Sequence, residues 1–341
     1  MKKRVPRRAL IGIFFLAAMV GWHATASAQA PEKIKLALHW NAPAHQFLQY
    51  YAAIKFGYYK ELGLDVELLP LAGSVPAVLS VSAGDAQIGQ ASSDAILVSL
   101  ASGAPLKAIF MFYQQTPNGV IVFKDSGIKS FADLRGKTVA SSASSPDMII
   151  LNARLRELGI NSEKDLNILN VAPAAKLTMQ LNGQADASTG LADFQYIQAQ
   201  MQGRKVDFLP FSTDAAPLYG HAIFTNNNWL EKHQDSARRF LAATVRGMKW
   251  AHDNIPDAVK MVVDWDPSVK VDPEFAKRGW EVNLNDLVIN KRTAQNGIGN
   301  MEAAGWGNLI KILRDGGVLK ADVDPAKIFT NEYIPKDAPK W

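Results

Sequence analysis

With 341 residues, 48% of them hydrophobic, the chain is long enough for two cored domains, and it contains no cysteine. That excludes disulfides, thiolate metal sites and cysteine nucleophiles. The basic excess, 37 Lys and Arg against 32 Asp and Glu, comes from Lys2, Lys3, Arg4, Arg7 and Arg8, so the remainder balances at 32 of each sign and its charge calls for no nucleic-acid or membrane partner.

Those five basic residues are followed by an apolar run over residues 9–20 and by two overlapping A-x-A sites, Ala26-Ser27-Ala28 and Ala28-Gln29-Ala30. This is the layout of a secretory signal peptide, and the run falls short of the ~20 residues a membrane span needs. Residues 1–30 are therefore expected to be a signal peptide. The mature chain would begin at Gln29 or Pro31, in the periplasm, with no stable membrane insertion after cleavage. With no Cys beside the site, lipid attachment there is excluded.

From residue 33 onward, strand and helix patterns alternate. Ile34, Leu36, Leu38 and Trp40 recur at period two, which predicts a strand over 33–40 with one buried face. Phe47, Tyr50, Tyr51 and Ile54 follow at helical spacing, and Gly57 can close that helix. A turn ending at Gly63 leads to a strand over 64–68, and Ser74 with Pro76 opens a helix that Gly84 ends. A strand over 86–89, a helix from Ser92 or Ser93 to Ser102 and a strand over 105–112 complete this half. The unit restarts after Asn118, with strands over 119–124 and 137–140 around a short helix at 130–134. Ser144-Ser145-Pro146-Asp147 begins a long helix that Gly159 stops. Further βα units run to Phe211, and a strand follows over 219–225. Beyond Asn228 the periodicity is helical, over 236–252, 257–264, 273–286 and 301–314. Repeated βα units predict an α/β fold of mostly parallel sheets covered on both faces.

Enzyme signatures are missing. There is no G-x-S-x-G, P-loop or H-E-x-x-H, and Gly297-Ile298-Gly299 lacks a third glycine and a preceding strand. His39, His45, His221, His233 and His252 include no pair at metal-binding helical spacing. No catalytic residue, metal or cofactor is assigned. The polar groups that stand out lie at the carboxyl ends of predicted strands, where open α/β sheets bind ligands. They give nine candidate ligand-binding residues: His39, Trp40, Asn41, Asp94, Gln114, Ser142, Ser144, Asp193 and Tyr219. The serine-rich loops precede helices, whose free N–H groups hold carbonyl, carboxylate or sulfonate oxygens. The same serines also suit plain N-caps, Trp40 suits a core position, and Asp193 suits the cap of a helix over 194–202.

The segments LHWNAPAHQFLQYYAAIKFGYYKELGLDVELLP, GDAQIGQASSDAILVSLASGAPLKAI, SGIKSFADLRGKTVA, LNGQADASTGLADFQ and YGHAIFTNNNWLEKH, in this order and spacing, resemble the NMT1/THI5-like solute-binding proteins. The resemblance implies a type II periplasmic-binding-protein fold, two α/β lobes joined by two crossover strands. Lobe one would combine 31–118 with 221–341, and lobe two would be 119–220. It further implies a monomer that passes a small-molecule ligand to an ABC transporter permease. The opening looks closest to binders of thiamine-pyrimidine precursors. It keeps Trp40 and His45, but His39 stands where those proteins carry an acid. Gly190-Leu191-Ala192-Asp193-Phe194 stands where they have a Trp- and Glu-rich segment. The expected ligand is a small planar heteroaromatic solute, with a sulfonate or aromatic acid as the alternative. Fungal relatives that make the pyrimidine use a cysteine cluster, which this chain lacks, so binding rather than catalysis is expected.

Overall fold

In chain order, the strands are β1 (Glu32–Leu38), β2 (Leu64–Pro70), β3 (Ile88–Ser92), β4 (Leu106–Met111), β5 (Asn118–Phe123), β6 (Thr138–Ser141), β7 (Asn167–Asn170), β8 (Ala187–Leu191), β9 (Val206–Pro210) and β10 (His221–Asn226). They come from a computed structural model that describes residue 1 and residues 30–142, 145–213 and 216–341. Residues 2–29 of the predicted signal segment, and Ser144, lie outside the described residues.

The strands form two five-stranded sheets, ordered β2-β1-β3-β10-β4 and β7-β6-β8-β5-β9. β1 runs parallel to β2 and β3, and β6 runs parallel to β7 and β8. Each sheet has one reversed strand, β10 in the first and β5 in the second. In both cases it is the strand the chain enters on arriving from the other sheet. The two connectors, residues 112–117 and 211–220, are tied to each other: Thr116 N donates to Leu218 O (2.7 Å) and Gly220 N to Tyr113 O (2.9 Å). Only glycine fits at 220, since a Cβ there would meet Tyr113 Cβ at 2.7 Å and Gln115 O at 2.8 Å.

The first sheet is covered on both faces. Ile34, Leu36 and Leu38 of β1 enter a cluster with Tyr50, Phe240, Met248 and Trp280, while Ala37 enters the opposite one with Val81, Ile96 and Trp306. Trp280 and Trp306 are wholly buried, so truncating either to Ala would cost about 3–5 kcal/mol. Ile312, on the helix Ala303–Asp315, packs into the second sheet's cluster beside Leu151 and Leu155.

The structure differs from the expected elements where local hydrogen bonding outweighs hydropathy. β1 stops at Leu38, so Trp40 leaves the core row and is 41% exposed. Asp85 N and Ala86 N both donate to Ser80 O, which holds them in a turn and delays β3 to Ile88. The helices expected over 194–202 and 273–286 contain π-helical turns, Ala192–Tyr196 and Asn283–Val288. Such turns concentrate at functional sites.

Candidate functional site

The carboxyl end of β3 faces the carboxyl ends of β6, β7 and β8 across a cleft of about 300 Å³. Ser92 and Asp94 line it from the first sheet, and Ser145, Asp147, Lys176 and Gln195 line it from the second. Thr116, Pro117, Asn118, Gly220 and His221, where the connectors meet their strands, form the floor. Two helices begin here. Asp94 lies in the first turn of Ser93–Ala101, and Asp147 lies in the first turn of Pro146–Glu157, whose first position is proline.

Lys176 Nζ donates to Asp147 Oδ2 at 2.5 Å and to Thr189 Oγ1 at 3.2 Å, and both charged side chains are under 10% exposed (8% and 7%). Burial alone raises the Asp147 carboxyl, but the Lys176 charge and hydrogen bond outweigh it and leave the group lowered. Half-buried Asp94 shifts the other way. Burial raises it, the Asp147 charge adds to the rise, and hydrogen bonds from Ser92 and the helix-start N–H groups only partly compensate.

Behind the floor runs a buried polar array. The His221 ring stacks on His39 (4.1 Å between centroids), whose Nδ1 meets Gln90 O at 3.2 Å and whose Nε2 meets Gln46 Oε1 at 3.0 Å. Gln90 Oε1 accepts from Tyr50 Oη (2.6 Å) and Gln49 Nε2 (3.2 Å). Tyr113, 5.0 Å from the His221 ring, donates to Asp193 Oδ2 (3.1 Å), and His45 Nε2 lies 3.8 Å from the same oxygen. With its amide oriented to suit its neighbours, Asn283 also donates to Asp193 Oδ2, at 3.0 Å. The two π-helical turns thus meet at this carboxylate. Burial holds both His39 and His221 below the usual imidazole range, and burial with the Asp193 charge pushes Tyr113 well above the usual phenol range.

The profile of the family described as NMT1/THI5 like matches residues 44–258. The chain belongs to that family. Among curated relatives, riboflavin-binding protein RibY of Chloroflexus aurantiacus is 23% identical over 355 residues, covering 98% of this chain and 99% of RibY. The 4-amino-5-hydroxymethyl-2-methylpyrimidine phosphate synthase THI5 of Saccharomyces cerevisiae is 23% identical over 256 residues, covering 72% and 74% of the two chains. Among solved structures, the periplasmic aliphatic sulphonate binding protein SsuA of Escherichia coli superposes with a TM-score of 0.70 at 17% identity, over 89% of this chain and 99% of that one. The architecture is therefore the periplasmic-binding-protein fold. Among the described residues, no helix is long and apolar enough to cross a membrane.

The structure scatters the nine predicted residues of this NMT1/THI5-like protein. Asp94 is on the cleft wall, while His39 and Asp193 belong to the array behind it. Trp40 and Asn41 line a separate hollow of about 410 Å³ with Tyr51 and Trp265, and the Trp40 ring lies 5.8 Å from Phe194. Gln114, Ser142 and Tyr219 are not on the cleft wall because their polar atoms serve the buried backbone. Gln114 donates to Asn300 O (2.9 Å), Ser142 donates to Val171 O (2.7 Å), and Tyr219 Oη accepts from Glu302 N (2.7 Å). Ser144 lies outside the described residues. Sequence reasoning missed Asp147, Lys176 and His221. Asp147 sits inside the recognised Ser-Pro-Asp helix start, whereas nothing local marks Lys176. A larger hollow of about 790 Å³ shares Thr116 with the cleft, but the buried charges Asp147 and Lys176 line the smaller one. The site is therefore assigned to the smaller cleft.

Proposed function

We propose that this protein is the solute-binding component of an ABC import system, exported to the periplasm by residues 1–30. It captures one small planar nitrogen heterocycle between two lobes, 31–118 with 221–341 and 119–220, and presents the closed form to a permease. One observation carries the reading. A cleft of about 300 Å³ is walled by polar side chains from both sheets and floored by the connectors, so a ligand in it touches both lobes and the hinge at once. Such a ligand favours the closed arrangement because only that arrangement contacts it from both sides. The volume suits a single substituted ring. Relatives named for riboflavin binding and for pyrimidine phosphate synthesis support a heterocycle of vitamin type. Binding without catalysis fits a lining whose one ammonium, Lys176, is already committed to Asp147.

A thermal-shift screen of heterocyclic vitamins and precursors, aromatic acids, sulfonates and nitrate tests the proposal. A ligand at 100 times its dissociation constant adds about 2.7 kcal/mol. For a chain of this size that is a melting shift of roughly 5 °C. Small-angle scattering on the same samples should show a smaller radius with the hit than without it. No shift with any solute class, or a hit that leaves the radius unchanged, would defeat the reading.

A further inference from the structure

We infer that the cleft selects its ligand by charge, taking a solute that places an amino group or protonated ring nitrogen between Asp94 and Asp147 and turning away carboxylates and sulfonates. The inference rests on the cleft being the binding site proposed above. It comes from the way the two helix starts are occupied. A bare helix N-terminus attracts anions because its first N–H groups are unpaired and the helix dipole is positive there. The cleft receives two such ends, those of Ser93–Ala101 and Pro146–Glu157, from opposite sides. Each already carries its own carboxylate in the first turn, Asp94 on one and Asp147 on the other. At Asp94, the N–H groups of residues 94 and 95 are used by that carboxylate.

The charge balance points the same way. Lys176 is the one permanent cation of the described lining, and it is committed to Asp147 at 2.5 Å. His221, also on the lining, is held neutral by burial beside His39. Two carboxylates against one ammonium leave one uncompensated negative charge, and it belongs to Asp94. The two carboxylates are close enough for Asp147 to oppose ionisation of Asp94. An N–H-rich edge inserted between them relieves that repulsion, whereas an anion adds to it. His221 lines the floor of the cleft, and its Nδ1 is buried there without a hydrogen-bond partner. An aminopyrimidine or amidine edge has the matching parallel donors.

The test uses the full mature protein and charge-opposed probes of similar size: benzamidine and 4-aminopyrimidine against benzoate and benzenesulfonate, titrated by calorimetry at pH 7.5. The amidine and the aminopyrimidine should bind at least about tenfold more tightly than the two anions, the range expected for a hydrogen bond to a charged group. Asp94→Asn should bring that ratio within about threefold, and Asp94→Glu should keep it. If Asp94→Asn does not fold, Asp94→Ser, which retains an oxygen at the helix start, gives the same comparison, and the ratio in the unmodified protein needs no variant. Anions that bind unmodified protein as tightly as benzamidine overturn the charge selection while leaving a binding protein. So does a ratio that survives Asp94→Asn. Failure of every solute in both this panel and the thermal-shift screen overturns the binding reading as well.

Discussion

Lys176→Met isolates the buried ion pair that anchors the second wall of the cleft. Lys176 and Asp147 meet at 2.5 Å with side chains 8% and 7% exposed, and Thr189 accepts a second hydrogen bond from the ammonium. Methionine fills most of the lysine stem's volume, so little cavity forms and the cost is electrostatic. Removing one partner leaves a carboxylate buried without its cation, which costs about 3–5 kcal/mol. In a chain of this size that is a melting shift of roughly 5–8 °C. The double variant Asp147→Asn/Lys176→Met removes both charges and should recover most of the loss. The pH dependence has a definite sign. Asp147 is lowered in the folded protein, so the pair's contribution is present above its ordinary value of 3.8 and is lost as pH falls through the lower folded value. In the single variant, burial acts on Asp147 without Lys176 and raises it, so the deficit against unmodified protein should shrink between pH 7 and pH 4.5. All eight tryptophans lie outside residues 119–220, so their fluorescence would miss the event. Amide hydrogen exchange of β6 and β8 during urea unfolding reads it directly. A deficit below about 1 kcal/mol, or a double variant no better than the single one, would refute the reasoning.

Gly279→Ala puts a Cβ 2.5–2.6 Å from three atoms of the His45 ring, so it should cost about 1–3 kcal/mol in thermal unfolding and displace His45 from Asp193. Gly307→Ala lies in the helix Ala303–Asp315 with nothing within 4 Å of the new Cβ, and it should be neutral or stabilise by up to about 1 kcal/mol. His39 and His221 are lowered from 6.5, so the unfolded chain takes up their protons first, and stability should begin to fall below about pH 6.5. Denaturant melts at pH 7.5, 6.5 and 5.5 should show that slope, and His221→Asn should flatten it. An equal slope in the variant would assign the fall to other groups.

The fold was legible because its cues are local. Ser74, Pro76 and Gly84 bound the helix Ser74–Ala83 as expected, with Gly84 left-handed at φ 87°, and Gly57 closes its helix at φ 74°. The period-two run Ile34, Leu36 and Leu38 is buried throughout. It misled only at Trp40, where the row continues in sequence but the strand has ended. The two π-helical turns were not legible. Each turn is too short to show in a hydropathy pattern, and the two are joined only in space, where Asn283 of one meets Asp193 of the other.

The site was legible on one wall and hidden on the other for the same reason. Asp94 follows a strand end and opens a helix, a position that general rules for α/β sheets single out from the order of strands and helices alone. Lys176 opens the short helix Lys176–Leu181, where its sequence neighbours suggest a solvated lysine. Its burial follows from Asp147, 29 residues earlier, and from Thr189, 13 residues later, which converge only once β6 and β8 pair. His221 gives the intermediate case. It begins β10, the strand entered on return from the second sheet, and becomes part of the floor because the connectors bond to each other and carry it against His39. A lysine that nothing local marks but that is buried between Asp147 and Thr189 is therefore the kind of residue that only the packed structure reveals. Its pairing with Asp147 leaves Asp94 as the unbalanced carboxylate of the cleft lining.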